Sequence, residues 1–331
     1  MKLYCLKVEK KNAEKERQAL VAKGLLNLGY SPKSDGKFVY FPLVKSIKGA
    51  TKSEFKSHEK KPTTLEGALN KMKLPTAKIT KSFDIFGDIA LIEILEGMEK
   101  IEKKIAKAVM QVHPSIKVVA KKTGPISGEF RVRKLKVIAG ENRTETFHKE
   151  AGCTFHVDVA KSYYSPRLSF ERLRISSLVK PGEKVFVPFA GVGPFAIIIA
   201  KHHPDAEVYA NELNPDAFKS MEENIRINKV PNVKAYLGDA KEFAKKFKGK
   251  ADRIVMPLPM SSKEFLDSTF LLAKKGAIVH FYIFEKSEED AVEIVKGYAS
   301  EIKRKIKIIS TRIARPYAPD IIEAVVDFQI L

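Results

Sequence analysis

Glu171 stands between two arginines, with Arg167 four residues before it and Arg174 three residues after it. The stretch Tyr163-Tyr164-Ser165-Pro166-Arg167 reads as a helix start, with Ser165 as N-cap and Pro166 at the first helical position. On such a helix Arg167, Glu171 and Arg174 share one face, so a carboxylate is flanked by two guanidinium groups. Two kinds of chemistry fit that pattern. One is an exposed ion-pair ladder, worth a few tenths of a kcal/mol per pair. The other is a general base in a partly dry cleft, next to whatever the following segment binds.

That following segment has its own signature. Glu183–Val187 is a short apolar strand that runs into Phe189-Ala190-Gly191-Val192-Gly193, and Pro194–Lys201 reads as a helix. About 20 residues past the turn, a second strand, Glu207–Asn211, ends in Glu212, the acidic position that dinucleotide-type folds use for a ribose hydroxyl. Leu213 and Asn214 follow it. A third strand ends in Gly238-Asp239-Ala240, and a fourth, Asp252–Met256, runs into Pro257-Leu258-Pro259. Four strand ends therefore point into one crevice. The stretch resembles the S-adenosylmethionine-binding half of a Rossmann-like methyltransferase. Phe195-Ala196 stand where a pyrophosphate fingerprint would have its third glycine, so an adenosyl ligand without phosphates fits better than NAD. Asp239 is placed either to accept from an adenine amino group or to cap the helix from Ala240.

The elements that must position these groups fall into three segments. Residues 1–62 hold a strand at Lys2–Val8, helical spacing from Asn12 to Leu28 and a strand at Phe38–Leu43, a small βαβ-like unit. They carry 15 Lys/Arg against 6 Asp/Glu, a net +9. Six of those lysines and His58 lie between Lys45 and Lys61, which makes either a solvated face or a phosphate-contacting surface. Residues 63–81 read as a linker with one short helix. Residues 82–157 read as an α+β middle domain with a helix at Glu99–Gln111 and strands near 117–120, 129–139, 145–149 and 153–159. Residues 158–331 form the Rossmann-like part. It continues past Pro259 with helices at Lys263–Ala273 and Glu288–Glu301, strands at Ala277–Phe284 and Ile306–Ile313, a Pro316/Pro319 loop and a final strand Ala324–Ile330. The last two strands form a hairpin, which predicts an antiparallel end to the sheet.

Composition narrows the partner. The 331 residues hold 60 Lys/Arg against 40 Asp/Glu, a formal +20, which calls for a polyanion. With no apolar span of about 20 residues, nucleic acid is favoured over a membrane. Cys5 and Cys153 are too few for a disulfide framework or a cysteine-based zinc site, so no metal is expected, and the expected location is cytoplasmic.

Nearly the whole chain resembles the archaeal and eukaryotic tRNA (guanine(37)-N1)-methyltransferases. The matching stretches are Ser82–Ala90, Gly128-Glu-Phe-Arg131-Val-Arg133, His148–Gly152, Asp158–Arg167, Glu171–Arg174, Phe189–Phe195 and Asn211–Pro215. The resemblance implies a small tRNA-gripping N-terminal domain, a middle domain and a C-terminal catalytic domain in a monomer that uses S-adenosyl-L-methionine. It makes Glu171 the general base and Arg131 the arginine on guanine O6. Tyr163 becomes an aromatic near cofactor and base. Arg133, Pro257 and Pro259 are expected with Tyr163 around the substrate. The cofactor set is then Arg167, Arg174, Phe189, Ala190, Gly191, Val192, Gly193, Glu212, Leu213, Asn214, Asp239, Ala240, Met256 and Pro257.

Two departures from the family pattern bear on specificity. Val187-Pro188 replaces an acidic residue at the end of the first strand. Pro257-Leu258-Pro259-Met260 replaces Asn-Leu-Pro-Lys, whose Asn fixes the guanine edge, and Pro257 offers neither a side-chain donor nor an N–H. A roomier, less polar rim suits the larger 4-demethylwyosine, whose C7 some archaeal relatives methylate. Another relative transfers the aminocarboxypropyl group of the same cofactor. A non-catalytic tRNA-binding protein is the reading from a different class.

Overall fold

The computed structural model describes residues 1–56, 62–128 and 130–331. His58, Lys60 and Lys61 of the basic run, and Glu129, lie outside the described residues. The chain divides into two compact units, Met1–Ala68 and Leu69–Leu331.

In the first unit β1 (Lys2–Glu9), α1 (Ala13–Ala22), β2 (Lys33–Ser34), β3 (Phe38–Pro42) and β4 (Thr51–Glu54) build an antiparallel sheet in the order β2-β3-β1-β4. Since β1 and β3 run antiparallel, the unit is not the expected βαβ. The helix expected to reach Leu28 stops at Ala22, because Lys23 and the left-handed Gly24 (φ 63°) end it. The chain then turns Leu26 back to bridge Leu43, and both join the core of Val8, Leu20 and Phe41. Lysines cover the aromatic side chains of this unit: Lys7 lies 4.0 Å from the Phe38 ring centroid, and Lys52 lies 5.0 Å from that of Tyr4.

After α2 (Leu65–Lys71), the second unit opens with β5 (Asp84–Phe86), β6 (Ile89–Ile92), α3 (Glu102–Val112), β7 (Val118–Ser127) and β8 (Val132–Gly140), a four-stranded sheet in sequential order. A hairpin of β9 (Glu145–Glu150) and β10 (Cys153–Asp158) follows. Then come α4 (Ser169–Ser177), β11 (Lys184–Pro188), α5 (Pro194–His202), β12 (Glu207–Glu212), α6 (Pro215–Asn228), β13 (Val233–Leu237), α7 (Ala240–Lys246), β14 (Ala251–Met256), α8 (Leu266–Leu272), β15 (Ala273–Glu285), α9 (Glu288–Glu301), β16 (Ile306–Ala318) and β17 (Ile321–Ile330).

The seven strands from β11 onward form one sheet, β13-β12-β11-β14-β15-β17-β16. Its first five members are parallel, and β17 runs antiparallel to both neighbours, as the hairpin predicts. The edge is β16, because the final strand inserts beside β15. Pro316, expected in a loop, lies within β16, where shifts in register absorb it.

The strands alternate between two apolar layers. Val185, Val187, Val255, Tyr282 and Val325 face one, with Ile175, Phe195 and Met221. Phe186, Ile254, Phe281 and Val326 face the other, with Phe243, Phe270 and Val295. Both faces are therefore covered, which is why these strands read as nearly continuous apolar runs. The first layer also takes in Phe86, Ile89, Leu91 and Phe155, so residues of the expected middle segment share a core with the Rossmann-like part.

Candidate active site

The glycine turn after β11 is shaped by its backbone. Phe189, Gly191 and Gly193 are left-handed, with φ of 59°, 59° and 87°. A Cβ on Gly193 would lie 2.9 Å from Met221 Cγ and one on Gly191 3.2 Å from the Tyr163 carbonyl oxygen, so with their left-handed φ both positions favour glycine. Glu212 ties the turn to the next strand end. Its Oε2 accepts the Gly191 N–H at 2.7 Å, and its Oε1 accepts those of Leu213 at 3.0 Å and Asn214 at 2.8 Å. Burial pushes the Glu212 carboxyl above its ordinary value, against the pull of those three donors.

Asn214 caps α6 and gives an amide hydrogen to Lys161 O at 2.7 Å. Asn224, from inside α6, donates to the Val192 carbonyl at 3.0 Å and accepts the His156 N–H at 2.6 Å, so the turn and β10 are fixed by one side chain. Asp239 is the N-cap of α7, accepting from Lys241 N at 2.8 Å. Ala190, Val192, Ala240 and Met256 are buried in the core. Hydrogen bonds thus tie the turn to the Glu212 strand end, and the Asp239 strand end lies beside it through Gly238 N on the Glu212 carbonyl.

The base-side constellation differs from the expected ladder. Pro166–Leu168 is a 3-10 turn, and Ser165 makes no side-chain cap. Instead the Ser165 carbonyl accepts from Arg172, whose guanidinium is buried against Glu150. Arg167 turns away from Glu171 and pairs with Asp84 at 2.6 Å, because the tight turn rotates it off the face of α4. Arg174 does meet Glu171, with Nε at 2.8 Å and Nη2 at 2.5 Å, both on Oε1. Tyr282 from β15 donates its hydroxyl to that same oxygen at 2.9 Å. The second flanking guanidinium comes from β16: Arg312 Nε stands 3.7 Å from Oε2, beyond hydrogen-bond length. Glu171 is 3% exposed, so it is no surface ion pair.

Arg131 and Arg133 enter from the start of β8. Arg131 is left-handed (φ 51°) and donates to Ser261 Oγ at 3.1 Å, across to the loop after β14. Arg133 lies over the rings of Tyr163, at 5.2 Å, and Phe86, at 5.6 Å, while its Nη1 is buried with no hydrogen-bond partner among the described residues. Burial pulls both guanidinium groups below their ordinary values. Arg315, whose charge interacts with Tyr163, is paired with the buried Glu323 at 2.5 Å. In the loop after β14 the Pro259 carbonyl accepts from Phe284 N at 3.2 Å, and Pro257 is half-buried.

Tyr282, Arg312, Arg315, Glu323 and Ser261 were not singled out by sequence reasoning. A signal existed for Glu323: with Asp327 it forms a pair of acids four residues apart in the otherwise apolar run 321–328.

A seven-stranded sheet ordered in this way, with a glycine turn after its first strand and an acid closing its second, is the fold of Rossmann-like class I methyltransferases. Family models agree along the chain: a tRNA methyltransferase 5 N-terminal domain over residues 5–51, a TYW2 N-terminal domain over 65–144 and a TRM5/TYW2 methyltransferase domain over 146–309. The chain belongs to the TRM5/TYW2 methyltransferase family. It is 38% identical over 331 residues to tRNA (guanine(37)-N(1))-methyltransferase Trm5b of Pyrococcus abyssi, covering 98% of each. It is 34% identical over 279 residues to tRNA (guanine(37)-N(1))/4-demethylwyosine(37)-methyltransferase Taw22 of Nanoarchaeum equitans, covering 68% of this chain and 92% of that one. The solved complex of aTrm5 and tRNALeu superposes with a TM-score of 0.82 at 32% identity, covering 99% of this chain and 100% of that one.

Proposed function

We propose that this protein is a cytoplasmic, S-adenosyl-L-methionine-dependent tRNA methyltransferase that acts on the purine at position 37, at N1 of guanosine. The observation that carries this reading is the asymmetry of Glu171. Oε1 is filled by Arg174 and Tyr282, while Oε2 has no donor within hydrogen-bond reach among the described residues. A buried carboxylate with one open oxygen is placed to take a proton.

The cradle of Phe189–Gly193, Glu212, Leu213, Asn214, Asp239 and Ala240 would hold the cofactor, with Glu212 taking ribose hydroxyls. When bound, its sulfonium supplies an electrophilic methyl group and leaves as a neutral thioether. Glu171 Oε2 takes the N1 proton as the new N–C bond forms. Arg131, held by Ser261, donates to O6 and stabilises the negative charge that develops there. Tyr163, anchored through Arg315 and stacked under Arg133, orients the base. The basic first unit, with its lysine-covered aromatics, grips phosphates and sugars away from the chemistry. The layout is a docking domain at 1–62, a linker at 63–81, a middle domain at 82–157 and a catalytic domain at 158–331, in a monomer.

One second reading has its own observation. Pro257 and the 57%-exposed Met260 leave the base rim without the amide of an Asn and without a lysine, which admits 4-demethylwyosine for methylation at C7. Tritium transfer from labelled S-adenosyl-L-methionine to unmodified and to 4-demethylwyosine-containing tRNA tests both, followed by analysis of the labelled nucleoside. Label in 1-methylguanosine supports the first reading, and label in the tricyclic base the second. Transfer of the aminocarboxypropyl group, or no transfer at all, overturns both.

A further inference from the structure

Behind Glu171 a line of buried polar side chains runs through the sheet. Arg174, which holds Glu171 Oε1 with Nε and Nη2, extends Nη1 to Asp327 Oδ2 on β17 at 2.7 Å. Asp327 Oδ1 meets His280 Nδ1 on β15 at 2.7 Å, and His280 Nε2 meets Arg253 Nη1 on β14 at 2.7 Å. Arg253 ends the line on Glu183, through Nε at 2.7 Å and Nη2 at 3.0 Å. His280 is 1% exposed and Asp327 and Arg253 3% each.

The donors fix the states of these groups. Arg253 can only donate, so His280 Nε2 accepts and the proton resides on Nδ1, facing Asp327. The imidazole is neutral, in accord with the burial that lowers its proton affinity. The charged groups acting on that ring are Asp327, Arg253 and Arg174. Burial opposes ionisation of Asp327, yet the hydrogen bonds from His280 and Arg174 hold it well below the usual carboxylate range.

We propose that Asp327, oriented by His280, is a positioning residue for methyl transfer: by holding Nη1 it fixes the Arg174 guanidinium with its Nε/Nη2 edge on Oε1 alone, and its charge offsets part of the pull of that guanidinium on Glu171. The inference rests on Glu171 being the base. A lone guanidinium facing a carboxylate makes the two-point fork and strengthens the ionised form. Here the Nε/Nη2 edge rests wholly on Oε1 of Glu171, the third arm is held by Asp327, and Oε2 stays open. The other groups facing Glu171 are Tyr282 on β15, Arg312 on β16 and Glu323 on β17. None of them reaches Arg174 Nη1, so Asp327 alone divides the charge.

The test is Asp327→Asn, which keeps an acceptor for Arg174 and removes the charge. The first readout is titration of the Glu171 carboxyl by 13C-glutamate NMR in the ligand-free protein, the resonance being identified by its loss in Glu171→Gln. The second is the acid limb of single-turnover methyl transfer against pH. Both are expected to move to lower pH by about one unit, a tenfold loss of proton affinity. Ser310 on the exposed edge strand donates to Asp327 Oδ2 at 3.1 Å, and its removal leaves that oxygen to Arg174 alone. Ser310→Ala therefore shifts both readouts the other way, about twofold in proton affinity, and decides the matter if Asp327→Asn does not fold. A Glu171 titration unmoved in the variant that folds overturns the inference, even if the protein melts earlier, because a purely structural role predicts that result. A Glu171→Gln protein with full methyl transfer overturns the reading of the base instead.

Discussion

Arg174 grips Glu171 by a single carboxylate oxygen: Nε and Nη2 both end on Oε1, at 2.8 and 2.5 Å, and leave Oε2 with Arg312 Nε at 3.7 Å. Replacement of Glu171 by Gln keeps the shape of this contact and removes the proton acceptor. Single-turnover methyl transfer should fall by roughly 10²–10⁴, the range for a lost general base, while cofactor and tRNA affinities stay near wild type. An unchanged rate would take Glu171 out of that role.

Among the described residues the Arg131 side chain donates one hydrogen bond, to Ser261. Arg131→Ala should lower the transfer rate by about 10²–10³, as for a lost oxyanion donor, with a smaller change in tRNA affinity. An effect confined to the dissociation constant would make it a docking residue.

Glu212→Ala should weaken S-adenosyl-L-methionine binding by about 1–3 kcal/mol in calorimetry and leave tRNA binding nearly intact. Part of that loss will come from the turn, since Gly191, Leu213 and Asn214 lose their acceptor together. Wild-type cofactor affinity would place the cofactor elsewhere.

Arg133 is a half-buried cation whose Nη1 has no hydrogen-bond partner among the described residues. An uncompensated charge costs the folded state, so Arg133→Met should raise the unfolding midpoint of the ligand-free protein by roughly 2–4 °C per kcal/mol recovered. The same variant should bind tRNA less tightly. A lower midpoint would show that the guanidinium is holding the fold together through its stacking on Tyr163 and Phe86.

In the first unit, changing Lys7, Lys33 and Lys52 together to Gln removes charge from the aromatic face without touching the core of Val8, Leu20 and Phe41. The fall of log tRNA affinity with log salt should become shallower by somewhat under one unit for each phosphate that is no longer neutralised. An unaltered slope would assign these lysines to a solvated surface.

The sheet and the cradle were legible because they are written locally. The glycine turn, the acid one strand later and the apolar runs with period two each constrain their own few residues, and the order of strands follows from the chain alternation. The environment of Glu171 was not legible, since its partners lie far along the chain, on Tyr282, Arg312 and, through Arg174, Asp327. Helical spacing correctly put Arg174 beside it but wrongly added Arg167, for the turn at Pro166–Leu168 is 3-10 and its angular step differs from that of an α-helix. In the first unit the helix pattern ran on to Leu28 because the leucines after Gly24 keep the right composition. Only the left-handed glycine reveals the stop.

The insertion of β17 between β15 and β16 also has a bearing on synthesis. Residues 321–330 leave the ribosome after every other strand of the sheet, yet they fill its interior and carry Asp327 and Glu323 to the base. Until they arrive, β16 has no neighbour within the sheet and Arg174 lacks its second acid. The parallel half, with the cofactor cradle, can form on the nascent chain. The proton-accepting half waits for a strand pairing of long range, which is slow.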